Sequence, residues 1–121
     1  MPEFSQSCDL LKGIKIMIIT NAFSLNMVRG FPVTIDVEEI SLNGVIEELF
    51  FDGIESAVDH ADTAAVFTDV IGLLIPTNRC NVSLSSGDRI IVGQYIGPSL
   101  PEGTTTLPAN AVIKWLLVEI K

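Results

Sequence analysis

The sequence predicts an α/β (α+β) fold: a single domain with a mixed parallel and antiparallel sheet of about five strands flanked by helices. The chain has 121 residues, which is the length of one domain. Apolar segments with strand-like spacing alternate with two segments of helical spacing, and this alternation is typical of helices packed on a sheet. A Ser-Ser-Gly-Asp turn between two later segments adds an antiparallel neighbour to the sheet.

The first half of the chain contains two strands and a helix. Residues 14–19 are apolar on both faces, which predicts a buried strand. Residues 33–38 alternate between apolar and polar side chains, as a half-buried strand does. Ser41 is a suitable N-cap for a helix over 42–50, and Gly53 ends that unit.

The second half contains one helix and most of the sheet. The helix covers 60–73, with Asp59 as its predicted N-cap. The segments expected to be extended are 54–58, 79–84, 89–95 and 112–120. Residues 79–84 and 89–95 are expected to form a hairpin, and two prolines stiffen the loop at 97–103.

Charge and composition restrict the partners of the protein. The net charge of −8 argues against duplex nucleic acid as a ligand, because such binding depends on a basic surface. Between Arg29 and Arg79 there is no lysine or arginine, so an anionic ligand must be held by a small local set of donors. No apolar run is long enough for a membrane helix, and the spacing of Cys8 and Cys80 predicts neither a metal site nor a disulfide framework. We therefore expect an intracellular protein without a membrane partner.

His60 is the only histidine and the first candidate for chemistry. At the start of a helix, free backbone N–H groups attract phosphate, and an imidazole there can donate a proton to a leaving alkoxide. A structural histidine is the ordinary alternative. Asp59, His60 and Asp62 are also close enough in sequence to chelate a metal, but their spacing is no recognised zinc pattern, so we expect no metal.

Polar side chains near predicted strand ends are the remaining candidates. Asn21, the first of them, follows the first strand, at the edge of the sheet where ligands collect in open α/β folds. The others that could bind a polar or anionic ligand are Ser24, Asn26, Arg79 and Gln94, and Glu102 could orient a ribose hydroxyl or take its proton. The alternatives are that Arg79 and Glu102 are solvated surface charges, and that Gln94 is a core residue whose amide is hydrogen-bonded within the protein.

Four sequence motifs occur in an order that resembles one protein family. Residues 20–27 read Thr-Asn-Ala-Phe-Ser-Leu-Asn-Met, residues 60–63 read His-Ala-Asp-Thr, and residues 76–79 read Pro-Thr-Asn-Arg. Gln94 and the Leu-Pro-Glu-Gly sequence at 100–103 complete the set. Together they resemble the viral anti-CRISPR ring nucleases, which degrade cyclic tetra-adenylate in type III CRISPR defence, and their cellular counterparts. From the extent of this resemblance we expect residues 14–121 to form a ring nuclease-like domain. Residues 1–13 are expected to be an N-terminal extension that is either disordered or left over from expression.

The resemblance implies a homodimer that closes around cyclic tetra-adenylate and cleaves it without a metal or another cofactor. It implies that His60 is the general acid and that Glu102 orients or deprotonates the attacking 2′-hydroxyl, which gives a 2′,3′-cyclic phosphate. The ligand-binding residues that it implies are Asn21, Ser24, Asn26, Asp62, Thr63, Arg79, Gln94 and Ser99. It also implies a cytoplasmic location in a prokaryotic cell or a virus-infected host cell.

Two positions depart from the family pattern. Ser99 stands where the family usually has arginine, and the loss of one charged phosphate contact costs about 1.5–3 kcal/mol, or about ten- to a hundredfold in binding or rate. Asp62 stands where viral members often carry serine. The alternative function is therefore a cyclic oligoadenylate-binding protein, a sponge or sensor, with weak or no cleavage. A structural or regulatory dimer unrelated to nucleotides is a third hypothesis.

Overall fold

Most of the predicted helices and strands are found close to their predicted positions. The computed structural model describes residues 7–8, 16–51 and 53–121. In these parts of the chain the elements are, in order, β1 (Ser7–Cys8), β2 (Ile16–Thr20), a 3-10 helix (Leu25–Met27), β3 (Ile35–Ile40), α1 (Leu42–Phe51), β4 (Gly53–Ala57), α2 (Ala61–Ile71), β5 (Asn81–Val82), β6 (Arg89–Ile96) and β7 (Val112–Ile120). Of the predicted extension at 1–13, only Ser7 and Cys8 are among the described residues.

Five strands form one mixed sheet in the order β3-β7-β6-β2-β4. β2 runs parallel to β4 and β6, whereas β7 runs antiparallel to β6 and β3. Thr20 at the end of β2 is level with Ala57 at the end of β4 and with Val92 in β6. The predicted α+β class and the mixed sheet of about five strands are therefore confirmed, and no helix in the described ranges has the length and apolar character to cross a bilayer.

The sheet carries an apolar core on each face. On one face α1 and α2 pack on the sheet, and Phe67 of α2 lies against Trp115 of β7 with ring centroids 5.0 Å apart. On the other face, Val28, Val82 and Leu84 belong to irregular segments and β5 that cover part of the sheet. Met17 and Ile19 of β2 lie in the first core and Ile18 lies in the second, which explains the unbroken apolar run in β2.

The prediction that residues 79–84 and 89–95 form a hairpin is wrong. Only Asn81 and Val82 form a strand there, and β5 pairs in parallel with Ser7–Cys8 in a separate two-stranded sheet. Leu84 exchanges backbone hydrogen bonds with Met27 and Arg29 instead of with β6. β6 pairs with β2 and β7, so the long loop at 97–111 makes the antiparallel connection.

The two helices begin differently. Ser41 caps α1 as predicted, because its hydroxyl accepts a hydrogen bond from the backbone N–H of Gly44 at 3.1 Å. At α2, however, the N-cap is His60 and not Asp59, and the imidazole makes no capping hydrogen bond. Gly72, with φ of 85°, ends α2 in the left-handed conformation that glycine adopts most easily.

Cys80 is disulfide-bonded, which the spacing of the two cysteines did not predict.

Candidate functional site

The carboxyl ends of β2 and β4 bring Asn21 beside Asp59. The Asn21 Nδ2 group donates to Asp59 Oδ1 at 3.2 Å, and the Asp59 backbone N–H donates to Asn21 Oδ1 at 3.4 Å. Arg79 Nε donates to the Asp59 carbonyl oxygen at 3.1 Å. Asp59 therefore joins three segments of chain immediately before His60, and this tertiary role explains why it does not cap α2.

The segment that presents Arg79 is fixed to the end of β4. The Asn78 backbone N–H donates to the Val58 carbonyl at 2.7 Å, and its side-chain amide donates to the Ser56 carbonyl at 2.7 Å. The Ser56 hydroxyl is hydrogen-bonded to the Pro76 carbonyl at 2.5 Å. These bonds hold the Pro-Thr-Asn-Arg motif alongside β4, so the position of Arg79 follows from the backbone around it.

The first turn of α2 meets the loop between β6 and β7. Asp62 Oδ1 accepts a hydrogen bond from the Gly103 backbone N–H at 3.2 Å. Gly103 has φ of +84°, a left-handed conformation that side chains other than glycine rarely adopt. At the start of the same loop, the Tyr95 hydroxyl donates to the Pro98 carbonyl at 2.6 Å. The loop is thus tied both to β6 and to the helix that carries His60.

These elements line an open cavity of about 530 Å³, within the usual range of small-ligand sites. It lies at the N-terminus of α2, and its lining includes Asp59, His60, Ala61, Asp62, Thr77, Arg79, Leu100 and Glu102. A second cavity of about 410 Å³ shares Asp59 and Arg79 with the first and extends to Cys80 and Asn81. The two cavities therefore meet at the Asp59–Arg79 hydrogen bond.

The predicted site residues fall into two groups. His60, Asp62, Arg79 and Glu102 line the larger cavity, and Asn21 is joined to it through Asp59. The others lie elsewhere: Ser24 and Asn26 are exposed at the 3-10 helix, Thr63 is half-buried in α2, Gln94 is exposed on β6, and Ser99 is exposed in the following loop. The Ser24 hydroxyl caps the 3-10 helix by accepting from the Asn26 backbone N–H at 3.2 Å.

Gln94 belongs to a separate exposed surface. Because side chains alternate along a strand, Gln94 and Ile96 share the face of Ile90 and Val92, opposite the helices. Gln94 is paired with Lys114 and Ile96 with Val112, and all four side chains are exposed. We call these four residues the open sheet patch. Its two apolar members, Ile96 and Val112, are 45% and 58% exposed.

Four residues that line the cavity are not among the predicted site residues: Asp59, Ala61, Thr77 and Leu100. Asp59 was predicted to cap α2, with metal chelation as the alternative, and Ala61 of the His-Ala-Asp-Thr motif, Thr77 and Leu100 had no predicted role. Thr77 precedes Asn78 in a motif already singled out, and Leu100 belongs to the Leu-Pro-Glu-Gly sequence. Their positions inside those two motifs were the available signal.

The cavity offers groups for proton transfer and for holding an anion. In the described chain, neither the exposed imidazole of His60 nor the exposed carboxylate of Glu102 has a hydrogen-bond partner. Arg79 supplies a planar cation, and the start of α2 supplies backbone N–H groups, both suited to a phosphate. Among the residues that the structure describes, no group of three or more His, Cys, Asp or Glu side chains is arranged to hold a metal ion.

Among known proteins, this chain is similar to proteins of viruses that infect Sulfolobus. A family model described as STIV B116-like matches residues 17–113. The solved structure of B116 from Sulfolobus turreted icosahedral virus is similar, with a TM-score of 0.72 and 26% identity, over 87% of this chain and 98% of that one. "Uncharacterized protein 26" of Sulfolobus islandicus filamentous virus (isolate Iceland/Hveragerdi) is 29% identical over 76 residues, which are 63% of this chain. The match spans 64% of that relative, less than two thirds of its length.

Proposed function

The chain belongs to the STIV B116-like family, and from this premise we propose that it is a metal-independent ring nuclease that cleaves cyclic tetra-adenylate and so switches off type III CRISPR signalling. The observation that carries the proposal is the exposed imidazole of His60 at the N-terminus of α2, in one cavity with Arg79 and Glu102. This combination offers a proton donor, a phosphate-binding cation and a carboxylate. The four-motif resemblance to the ring nucleases supplies the substrate and the reaction.

In the proposed reaction, the ligand supplies its own nucleophile. The 2′-hydroxyl of one ribose attacks the adjacent phosphorus in line with the departing 5′-oxygen. Glu102 orients this hydroxyl or accepts its proton, and His60 protonates the leaving oxygen. The products are linear and end in a 2′,3′-cyclic phosphate. Arg79 and the backbone N–H groups at the start of α2 hold the phosphate, so positioning and charge stabilisation account for most of the rate.

We further propose that two copies act together. A ring of four equivalent nucleotides is larger than one cavity of about 530 Å³, and its symmetry is compatible with a twofold dimer. The open sheet patch supports this arrangement, because Ile96 and Val112 expose apolar surface next to Gln94. A twofold contact there would bury those side chains and bring the Gln94 amides of both copies toward the ligand.

Cleavage of cyclic tetra-adenylate in the presence of EDTA tests the proposal directly. The purified protein is mixed with the ligand, and the products are separated by chromatography. We expect linear products with a 2′,3′-cyclic phosphate, and we expect His60→Asn to slow their formation by about a hundredfold or more. Asparagine is a good N-cap residue, so this variant removes the acid while preserving the start of α2.

The other two hypotheses give different results in the same experiment. Tight binding with no product would favour the sponge or sensor function. Absence of binding would contradict both nucleotide functions and leave the structural or regulatory dimer. Cleavage by His60→Asn at the wild-type rate would refute the assigned role of His60.

A further inference from the structure

The loop between β6 and β7 reaches α2 through one hydrogen bond. The Gly103 N–H donates to Asp62 Oδ1 at 3.2 Å, and in the described parts of the chain no other hydrogen bond joins residues 97–111 to α2. The other hydrogen bonds of this loop stay within it or reach back to β6. The Asp62–Gly103 bond is therefore the hydrogen-bond link between this loop and the helix.

This bond lies between the two groups proposed for proton transfer. Asp62 is in the first turn of α2, two residues after His60, and Gly103 directly follows Glu102. His60, Asp62 and Glu102 all line the larger cavity. A bond that fixes Gly103 to Asp62 consequently fixes the backbone of Glu102 relative to that of His60.

We propose that Asp62 is a positioning residue that holds Glu102 in reach of the ligand through the Gly103 N–H, an inference that rests on the function proposed above. Glu102 is exposed and has no hydrogen-bond partner in the described chain, so its own side chain does not hold it at the cavity. Small displacements of a catalytic group slow a reaction strongly, because the attack geometry is lost. Loss of the Asp62–Gly103 bond should therefore lower kcat more than it alters KM.

Two substitutions separate the hydrogen bond from the charge of Asp62. Asp62→Asn keeps an oxygen that can accept from Gly103 and removes the negative charge, whereas Asp62→Ala removes both. We expect kcat of Asp62→Ala to fall about tenfold or more, and kcat of Asp62→Asn to stay within about threefold of wild type. Asp69→Ala, an equal charge change at an exposed position of the same helix, is the matched control and should leave kcat unchanged. Equal kcat for Asp62→Ala and wild type would overturn the inference.

A double-mutant comparison tests whether Asp62 acts through Glu102. If it does, Asp62→Ala combined with Glu102→Ala is no slower than Glu102→Ala alone, because the group being positioned is already gone. Losses that multiply in the double mutant would overturn the inference and indicate an independent role for Asp62.

Hydrogen exchange of the ligand-free protein tests the positioning without any reaction. We expect the amide protons of Gly103 and Thr104, the two hydrogen-bonded amides of residues 97–104, to exchange about three- to tenfold faster in Asp62→Ala than in wild type, Asp62→Asn or Asp69→Ala. Unchanged exchange in Asp62→Ala would overturn the inference. Failure of the wild-type protein to cleave cyclic tetra-adenylate would instead refute the proposed function, so the two failures are distinguishable.

Discussion

The substitution Gly93→Ala tests how α2, the helix whose N-cap residue is His60, packs against the sheet. A Cβ atom at this position would lie 2.5 Å from Phe67 Cζ and 2.5 Å from Trp115 Cζ3. Carbon atoms pack at about 3.5–4.0 Å, so both rings would have to retreat by about 1 Å. Phe67 is 0% exposed and Trp115 is 5% exposed, which leaves the rings little room. Since Phe67 belongs to α2, Gly93→Ala should push this helix and its N-terminal His60 away from the sheet.

The expected loss of stability follows from this overlap. Overpacking a core costs about 1–3 kcal/mol, and two displaced aromatic rings put Gly93→Ala at the upper end, about 3 kcal/mol. For a domain of this size, that loss lowers Tm by about 10–15 °C in thermal unfolding followed by circular dichroism. Gly30→Ala is the control: its Cβ would meet nothing within 4 Å, and we expect a change of about 2 °C or less. A Gly93→Ala protein that melts within about 3 °C of wild type would refute this account of the packing.

Two further predictions concern the ligand. The chain carries a net charge of −8, so its long-range field repels an anionic ring. Raising NaCl from about 50 to about 500 mM should therefore weaken ligand binding, measured by titration calorimetry, by less than about threefold. A loss of affinity of about a hundredfold or more, as basic phosphate-binding surfaces show, would contradict this prediction. Ser99→Arg should increase the turnover of cyclic tetra-adenylate by about tenfold or more, because Ser99 precedes the lining residue Leu100 and arginine can add a phosphate contact. Ser86→Arg is the control: Ser86 is exposed in the turn before β6, and its substitution should change turnover little. A Ser99→Arg enzyme slower than wild type would contradict the importance assigned to this position.

Local patterns in the sequence predicted the elements but not every pairing between them. The apolar run of β2, the Ser41 cap and the spacing of α2 each depend on residues close together in the chain, and each is found in the structure. In the segment around β5, Val82 and Leu84 are buried as their alternation suggests. Alternation states which side chains face a core but not which strand lies alongside, so the contacts of this segment with Ser7–Cys8 and Met27 were not predictable.

In the candidate site too, features that depend on nearby residues were predictable, and contacts between distant segments were not. Asn21 after β2, His60 at the start of α2 and Arg79 were each singled out from their local sequence, but their proximity was not predicted. The structure joins Asn21 and Arg79 to Asp59, directly before His60. The start of α2 was misplaced by one residue because Asp59 is a better N-cap by residue type than His60. Its carboxylate is instead bonded to Asn21, which is 38 positions away in sequence, and such a contact leaves no local pattern.

Hydrogen bonding also decides which acid of the cavity is available for chemistry. Three carboxylates line it, but Asp59 accepts from the Asn21 amide and Asp62 from the Gly103 N–H. Glu102 is the one of these three with no partner in the described chain, and it shares the cavity with an imidazole that has none. Arg79 donates from Nε to the Asp59 carbonyl oxygen, so its terminal nitrogens keep their N–H donors for a ligand anion. An imidazole and a carboxylate without protein partners among the described residues, beside one anchored cation, suit proton transfer around a phosphate.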